Sequence, residues 1–439
     1  MDDLRANTYA QRLSTLIQKE TVTAMSGADK TKFYEFQQLL RETFPAIFAV
    51  SEFEEFDGSF LMRWKGEEEN NPMILMNHQD VVEAPGAWKY PPFAGTIADG
   101  KVWGRGTLDT KGGLWAMFEA ANELVAEGFV PKHDVYFMST CTEESDGTGA
   151  DLISKTLAQR GLRFSMVLDE GGMIVQEPIP GAKGAFAMVG VGEKGCVDLK
   201  FIARSTGGHA STPEKDTPLV RLGKFMVAAE RKKLFKAKMS STVCEMFSRV
   251  GSTMSGVLGF TLKHSRLFKG LLTKVVPTVS PAAAATVKTT LAFTMASGSI
   301  GANVLPQEAW VIGNMRYSHH QGARDSIHKV AKLAEKYGVE TVVTDEGFDS
   351  PISDYHSNAF ALVEYAVGKV FPSVKTSPYV MMSASDCRYM SRVSDNCLRF
   401  TPFLINDEQL ESIHGINENV DVSALPPAVD FYKVILTEA

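Results

Sequence analysis

Cysteine is scarce in this chain. The five present, Cys141, Cys196, Cys244, Cys387 and Cys397, are odd in number, and none stands in a C-x-x-C pair. They read as free thiols of a reducing cytosol, not as disulfide staples or thiolate metal ligands. Long apolar runs are missing too, which leaves no candidate membrane span. The polar, acidic start M-D-D-L-R-A-N-T-Y-A-Q-R-L is unlike a secretion signal. Positive charge is in deficit: 45 Lys and Arg against 52 Asp and Glu give a net charge of −7. That balance speaks against nucleic acid or an anionic membrane surface as partner. The expectation is a cytoplasmic protein with no nucleic-acid and no membrane partner. The remaining composition is ordinary: 439 residues, 44% hydrophobic and 22% charged, enough for two or three domains with an ample core.

What the sequence does contain is a series of histidines and acids, most of them placed just after a short apolar run. His78 and Asp80 stand in N-H-Q-D, Asp109 in W-G-R-G-T-L-D-T-K-G-G, Glu143 and Glu144 form a pair, Asp169 lies in L-D-E-G-G, and His414 opens H-G-I-N-E-N. Neutral imidazoles and carboxylates are the ligand set of a divalent transition metal, zinc above all. So many carboxylates gathered without cations would resist ionisation, a cost that two metal ions would relieve.

The apolar runs at 73–77, 135–140 and 165–168 suit strands buried on both faces. Between them, residues 114–127 carry Leu114, Met117, Phe118, Ala121, Leu124 and Val125 at helical spacing, closed by Gly128. Strand–helix alternation predicts an open α/β sheet whose functional residues gather beyond the carboxyl ends of the strands. Near Gly192 the pattern changes. Residues 196–203 alternate apolar and polar, as a half-exposed antiparallel strand does, and are expected to form an edge open to a second chain. A helix at 218–233, strands at 286–294 and 309–317, a helix at 324–337 and a strand at 339–344 complete a β-α-β-β-α-β unit. The stretch 232–285 reads as an insertion in that unit. A helix at 359–371 and a strand at 398–403 then return to the first pattern. If His414 joins the other ligands, the first domain is discontinuous: 1–192 and 348–439, with 193–347 inserted as a lid or dimerisation domain.

Taken singly, a strand-end histidine makes an ordinary surface hydrogen bond and a Glu-Glu pair is a solvated turn. Together, His78-Gln-Asp80, Gly104-Arg-Gly-Thr-Leu-Asp109-Thr-Lys-Gly-Gly, Glu143-Glu144, Asp169, Gly208-His209-Ala and His414-Gly follow one order along essentially the whole chain. In that order they resemble the co-catalytic di-zinc metallopeptidases, the family of aminoacylase, carnosinase-type dipeptidases, the desuccinylase of lysine biosynthesis and carboxypeptidase S. The resemblance implies a zinc-binding α/β domain with an inserted α+β lid. It implies that His78 and Asp169 hold one zinc, Glu144 and His414 the other, with manganese or cobalt as alternative metals, and that Asp109 bridges them before a cis peptide. It further implies attack by a metal-bridged hydroxide, Glu143 as general base, and Asp80 orienting the His78 imidazole.

The same resemblance gives His209 a place in stabilising the oxyanion, reached from the partner subunit of a homodimer, and makes Asn303 and Arg316 lid candidates for gripping substrate. Arg388, in S-A-S-D-C-R, stands where the family carries G-G-T-D-A-R and an arginine for the substrate's terminal carboxylate. Ser383, Ala384 and Ser385 replace the two glycines and the threonine, so the pocket wall differs. Asp169 stands where many family deacylases carry Glu. The expectation is an exopeptidase, dipeptidase or carboxypeptidase, acting on small peptides. An N-acyl-amino-acid amidohydrolase is the alternative, and a non-catalytic metal-binding protein the rival from another class. Gly190-Val-Gly-Glu-Lys-Gly195 matches G-x-G-x-x-G but is followed by an alternating strand, not a helix, and is read as a decoy. The cluster Arg231, Lys232, Lys233, Lys236 and Lys238 reads as a solvated helix face.

Overall fold

The computed structural model describes residues 2–439 apart from 24–26, 346 and 348, with the side chains of 2 and 3 also left aside. The first half supplies strands β1 (Ser51–Phe56), β2 (Ser59–Trp64), β3 (Glu68–Met76), β4 (His133–Ser139), β5 (Met166–Asp169), β6 (Ile174–Gln176) and β7 (Ala185–Glu193). Four longer strands follow, β8 (Gly195–Arg204), β9 (Thr290–Ser297), β10 (Glu308–Tyr317) and β11 (Glu340–Asp345), with a two-residue ribbon, Gly208–His209 and Val304–Leu305, among them. The chain then returns with β12 (Lys375–Met381), β13 (Cys397–Arg399) and β14 (Leu404–Ile405).

A ten-stranded mixed sheet runs in the order β1-β2-β4-β3-β5-β13-β7-β6-β14, with β12 also paired to β7. Its centre, β4-β3-β5-β13, is parallel; Leu75 lies opposite both Phe137 and Leu168. These strands are short and apolar because both faces are covered. On one face the helix Lys111–Ala126 is buried along almost its whole length and packs with the helices Asp2–Ile17 and Leu425–Glu438, Tyr9 meeting Trp115 edge-on at 5.2 Å. On the other face Ile153 and Leu157 of the helix Thr148–Gln159 pack with Met390 and Val393. Parallel strands bring their carboxyl ends to one rim, and the segments after β3, β4 and β5 therefore meet there.

The chain leaves this sheet through Lys194. Gly195 opens β8 flush against Tyr317, where an added Cβ would lie 1.9 Å from the ring. β8 to β11 form a separate antiparallel sheet in the order β9-β10-β8-β11. The helices Pro218–Arg231 and Gly322–Glu335 pack Leu222, Phe225, Val330 and Leu333 onto one side of it. These strands and helices follow one another as β-α-β-β-α-β, with the helices of 232–287 between the first helix and β9. The expected edge, 196–203, is overturned: β8 is an interior strand, paired to β10 on one side and β11 on the other. Its alternation reports one buried face, which says nothing about position in the sheet. The edges are β9 and β11. The strand expected at 286–294 is also displaced, because 286 and 287 finish the helix Pro281–Val287, capped by the Ser280 side chain.

The stretch 232–285 is helical. Ser241–Gly251, Gly256–Lys263 and Lys269–Val279 surround a small core of Val243, Phe247, Leu262, Leu272 and Val276. It reaches the first sheet: Val250 packs with Phe186, and Arg249 pairs with Glu364 of the helix Asn358–Val370. The motif at 190–195 joins strand to strand, as a decoy should.

Candidate metal and active site

His78 follows β3 and is almost fully buried. Its Nδ1 donates to the Asp80 backbone carbonyl at 2.9 Å, and its Nε2 points at Asp109 Oδ1, also 2.9 Å away. The other Asp109 oxygen, Oδ2, lies 3.1 Å from His414 Nε2. That same nitrogen is 3.1 Å from Glu144 Oε1. Asp109 thus turns one oxygen to each histidine. His78, Asp109 and Glu144 bring ligand atoms within 4.8 Å of one another. Asp169, at the end of β5, is outside that trio: its oxygens accept the backbone amides of Glu170 at 2.8 Å and Cys387 at 2.9 Å.

Asp80 does more than its spacing suggests. Its carboxylate is 3.5 Å from His78 Nδ1, beside the 2.9 Å contact made by its own carbonyl. The two carboxylate oxygens also accept the backbone amides of Glu143, at 3.4 Å, and Glu144, at 3.1 Å. The fully buried Asp80 therefore anchors the Glu143-Glu144 turn against the histidine. That turn closes through Gly147, whose φ of +66 suits glycine; an added Cβ there would lie 2.7 Å from the Tyr389 ring and 3.0 Å from Arg388 Nη2. Arg388, stacked 4.9 Å over Tyr389, stands within the electrostatic reach of Glu143 and Asp386.

A residue that sequence reasoning passed over holds the two loops together. Glu418, fully buried, accepts the amides of Gly106 at 3.1 Å, Leu108 at 2.8 Å and Asp109 at 3.2 Å on one oxygen. On the other it receives Arg105 Nη1 at 2.7 Å, and Arg105 Nη2 reaches the Gly415 carbonyl at 2.6 Å. His414 sits at φ +59, a left-handed backbone that these bonds around Gly415 retain. Both residues lie inside motifs quoted above, but a buried ion pair leaves no spacing signal. Asp386 was likewise passed over; it is buried, and Thr140 donates to one of its oxygens while the other is without a partner. The Asp109–Thr110 peptide is cis.

Charge in the site is unevenly matched. Burial opposes a charged His78, but its contacts with Asp109 and Asp80 outweigh it and hold the imidazole well above its ordinary pKa. Hydrogen bonds to Asp109 and Glu144 push His414 up to about 10. Burial raises Glu143, Glu144 and Glu170, pushes Asp169 up to about 6, and takes Asp386 up to about 7. Five acids held above their usual range around two histidines form a donor set short of positive charge, which is what a site for divalent cations requires. The residues present fit such ions.

The lid candidates lie elsewhere. His209 is exposed on a two-residue ribbon opposite Val304, its Nδ1 taken by Ser211 at 2.7 Å. Asn303 is beside it; its carbonyl accepts the Ala210 amide at 3.0 Å. Arg316 donates to Asn314 at 3.1 Å. Among the described residues none of the three hydrogen-bonds or ion-pairs with His78, Asp109, Glu143, Glu144 or His414 of the same chain.

Comparison with known proteins identifies this arrangement. The model of peptidase family M20/M25/M40 matches residues 74–438. The chain belongs to that family. It is accordingly an enzyme, a hydrolase of the metallopeptidase and amidohydrolase type. The chain is 30% identical over 440 residues to the human N-fatty-acyl-amino acid synthase/hydrolase PM20D1, covering 98% of this chain and 87% of that protein. It is also 30% identical to the probable carboxypeptidase S-like 2 of Dictyostelium discoideum, over 96% of this chain and 83% of that one. Among solved structures, the family's metallo-carboxypeptidase Sso-CP2 from Sulfolobus solfataricus superimposes with a TM-score of 0.71 at 16% identity, covering 98% of both chains. That likeness shows a shared mixed α/β fold. No described helix is long and apolar enough to cross a membrane.

Proposed function

We propose that this enzyme hydrolyses the amide bond on the amino side of a residue with a free carboxylate, as a dipeptidase or carboxypeptidase. The observation that carries the reading is the posture of Asp109, one oxygen toward His78 and the other toward His414 with Glu144 beside it. Residues 1–192 and 348–439 then act as the catalytic domain and 193–347 as the lid. His78 and Asp169 would hold one metal and Glu144 and His414 the other, with Asp109 shared between them. Zinc is the first choice and manganese or cobalt the alternatives. Two divalent ions in this place supply Lewis-acid polarisation of a carbonyl and activation of water near neutral pH.

The protein's own groups do the rest. Glu143 is adjacent to a ligand, and among the described residues its carboxylate has no hydrogen-bond partner, so it is free to take a proton from the attacking water. It then returns that proton to the leaving amine nitrogen, so the amide C–N bond breaks with a neutral amine leaving. Asp80 keeps it in place through the turn amides. Arg388 offers a planar fork to the substrate carboxylate, and Arg316 is a further candidate from the lid. His209 and Asn303 reach the site from a partner copy, in a cytoplasmic homodimer; their exposure, and the lack of any hydrogen bond or ion pair to the cluster among the described residues of their own chain, support this.

A second reading, an N-acyl-amino-acid amidohydrolase, is favoured by the similarity to PM20D1 over 98% of the chain. Both reactions cleave an acyl group from an amino acid whose carboxylate is free. The test is a screen of zinc-loaded protein on Gly-X dipeptides, N-acetyl-amino acids and N-fatty-acyl-amino acids, each with and without its carboxylate amidated. Turnover of free-carboxylate substrates alone, abolished by chelation, is expected. Equal turnover of amidated substrates would overturn the reading, and the preferred acyl group decides between its two forms.

A further inference from the structure

The chain-wide deficit of positive charge conceals a strong local excess. From Arg231 to Gln307 there are eleven Lys and Arg and one acid, Glu245. Glu245 is already engaged, with Arg249 at 2.9 Å and Arg266 at 3.0 Å. Among the described residues, Lys263, Lys269 and Lys274 form no ion pair.

The helices in this stretch are also apolar on a face that nothing covers. In Lys269–Val279, Leu272 and Val276 enter the small core of the insertion. A second row, Leu271, Val275 and Val279, repeats every four residues and so shares one side of the helix, and Leu267 stands in the turn just before it. It points outward: Leu267 is 80% exposed and Val279 70%. The preceding helix adds Val257, 84% exposed, and Phe260, 57% exposed. Phe260 joins the two helices, its ring 4.6 Å from His264 and 6.1 Å from Phe268. A helix buried on one apolar side has no need of a second; an exposed apolar row of this length marks a contact surface. Lys274 and Lys288 also rim a neighbouring cleft of about 1350 Å³, so the cationic surface extends past the row.

We infer that this face docks on an anionic lipid surface. Aliphatic and Phe side chains flanked by lysines, on helices lying flat against the domain, are what an interfacial helix presents to headgroups and the upper acyl region. Negative lipid headgroups complement the lysines. A second copy is the poorer partner, because a two-fold interface would set the same lysines against each other. No span is involved; the contact is peripheral, and it does not depend on the substrate reading above.

The test is flotation of the full chain with vesicles of phosphatidylcholine alone or mixed with phosphatidylglycerol, at low and high salt. The wild-type chain is expected to float with the mixed vesicles only, less so at high salt. Lys263→Glu, Lys269→Glu and Lys274→Glu together should lower partitioning on the order of a hundred-fold. Leu271→Ser with Val275→Ser should lower it about ten-fold or more. Both sets are exposed, so thermal midpoints should stay near wild type. Wild-type chain left in solution, equal binding to neutral vesicles, or binding that survives both variant sets would overturn the inference. So would light scattering that finds a wild-type dimer made monomeric by Leu271→Ser and Val275→Ser, since the face would then belong to a second copy.

Discussion

Asp109 and Glu143 divide the work of the site between holding and reacting. Asp109 is fixed from three sides, by His78, His414 and the hydrogen bond its own N–H donates to Glu418. Glu143 is fixed only through its backbone. Glu143→Gln should therefore keep its metal content, read by elemental analysis, and lose about 10²–10⁴-fold in kcat. Near-native turnover would place the proton transfer on another residue. Away from the site, Glu119 lies fully buried in the helix Lys111–Ala126, paired with Arg12, and burial pushes its pKa up to about 7. The raised value means the neutral form is favoured in the folded state. Its contribution to stability is full below the unfolded value and is lost as pH rises through about 7. Glu119→Gln, neutral at every pH and still able to accept from Arg12, should match wild type at low pH. Above that window it should be more stable by about 2–3 kcal/mol, measured by denaturant melts across the pH range.

At the scale of elements, the loops are tied in pairs. Asp80 joins the loop after β3 to the loop after β4, and Glu418 joins the Asp109 loop to the His414 loop. Glu418→Gln should leave Arg105 buried without its counter-charge and relax both loops at once. The expected results are a loss of about 3–5 kcal/mol of stability and a fall of about 10–100-fold in metal affinity, the latter read by chelator competition. Three strands of the parallel core, β3, β4 and β5, were legible because they are continuous apolar runs and each leads to a conspicuous His, Glu or Asp. The packing between loops was not, because Asp80 and Glu418 act through backbone amides, which carry no sequence identity. The helices of 232–285 were blurred for a different reason. Leu271 with Val275 and Leu272 with Val276 make two adjacent apolar rows, and Pro277 interrupts the pattern, so no single 3.6-residue stripe stands out. Alternation in β8 identified a strand with one buried face but carried no information on its neighbours.

For the molecule as a whole, the ribbon that carries His209 should serve another copy. Mixing His209→Ala chains with Glu143→Gln chains, each inactive alone, should restore part of the activity, because one site of the hybrid then has both an intact base and a partner's histidine. Mixed dimers that form and stay inactive would confine His209 to its own chain. The place of β13 has a consequence of another kind. This strand, residues Cys397–Arg399, lies between β5 and β7 in the middle of the sheet, yet it leaves the ribosome after both of them and after the whole inserted sheet. Until then the growing chain holds an unfilled slot flanked by two strands with unpaired backbone, while the four strands of the inserted sheet are already complete. A chain ending at Asn396 should thus keep the inserted sheet and expose the slot permanently, turning up in the insoluble fraction on expression. Synthesis of this enzyme is a race between closing the slot from the C-terminal end and pairing of its open edges with another nascent chain.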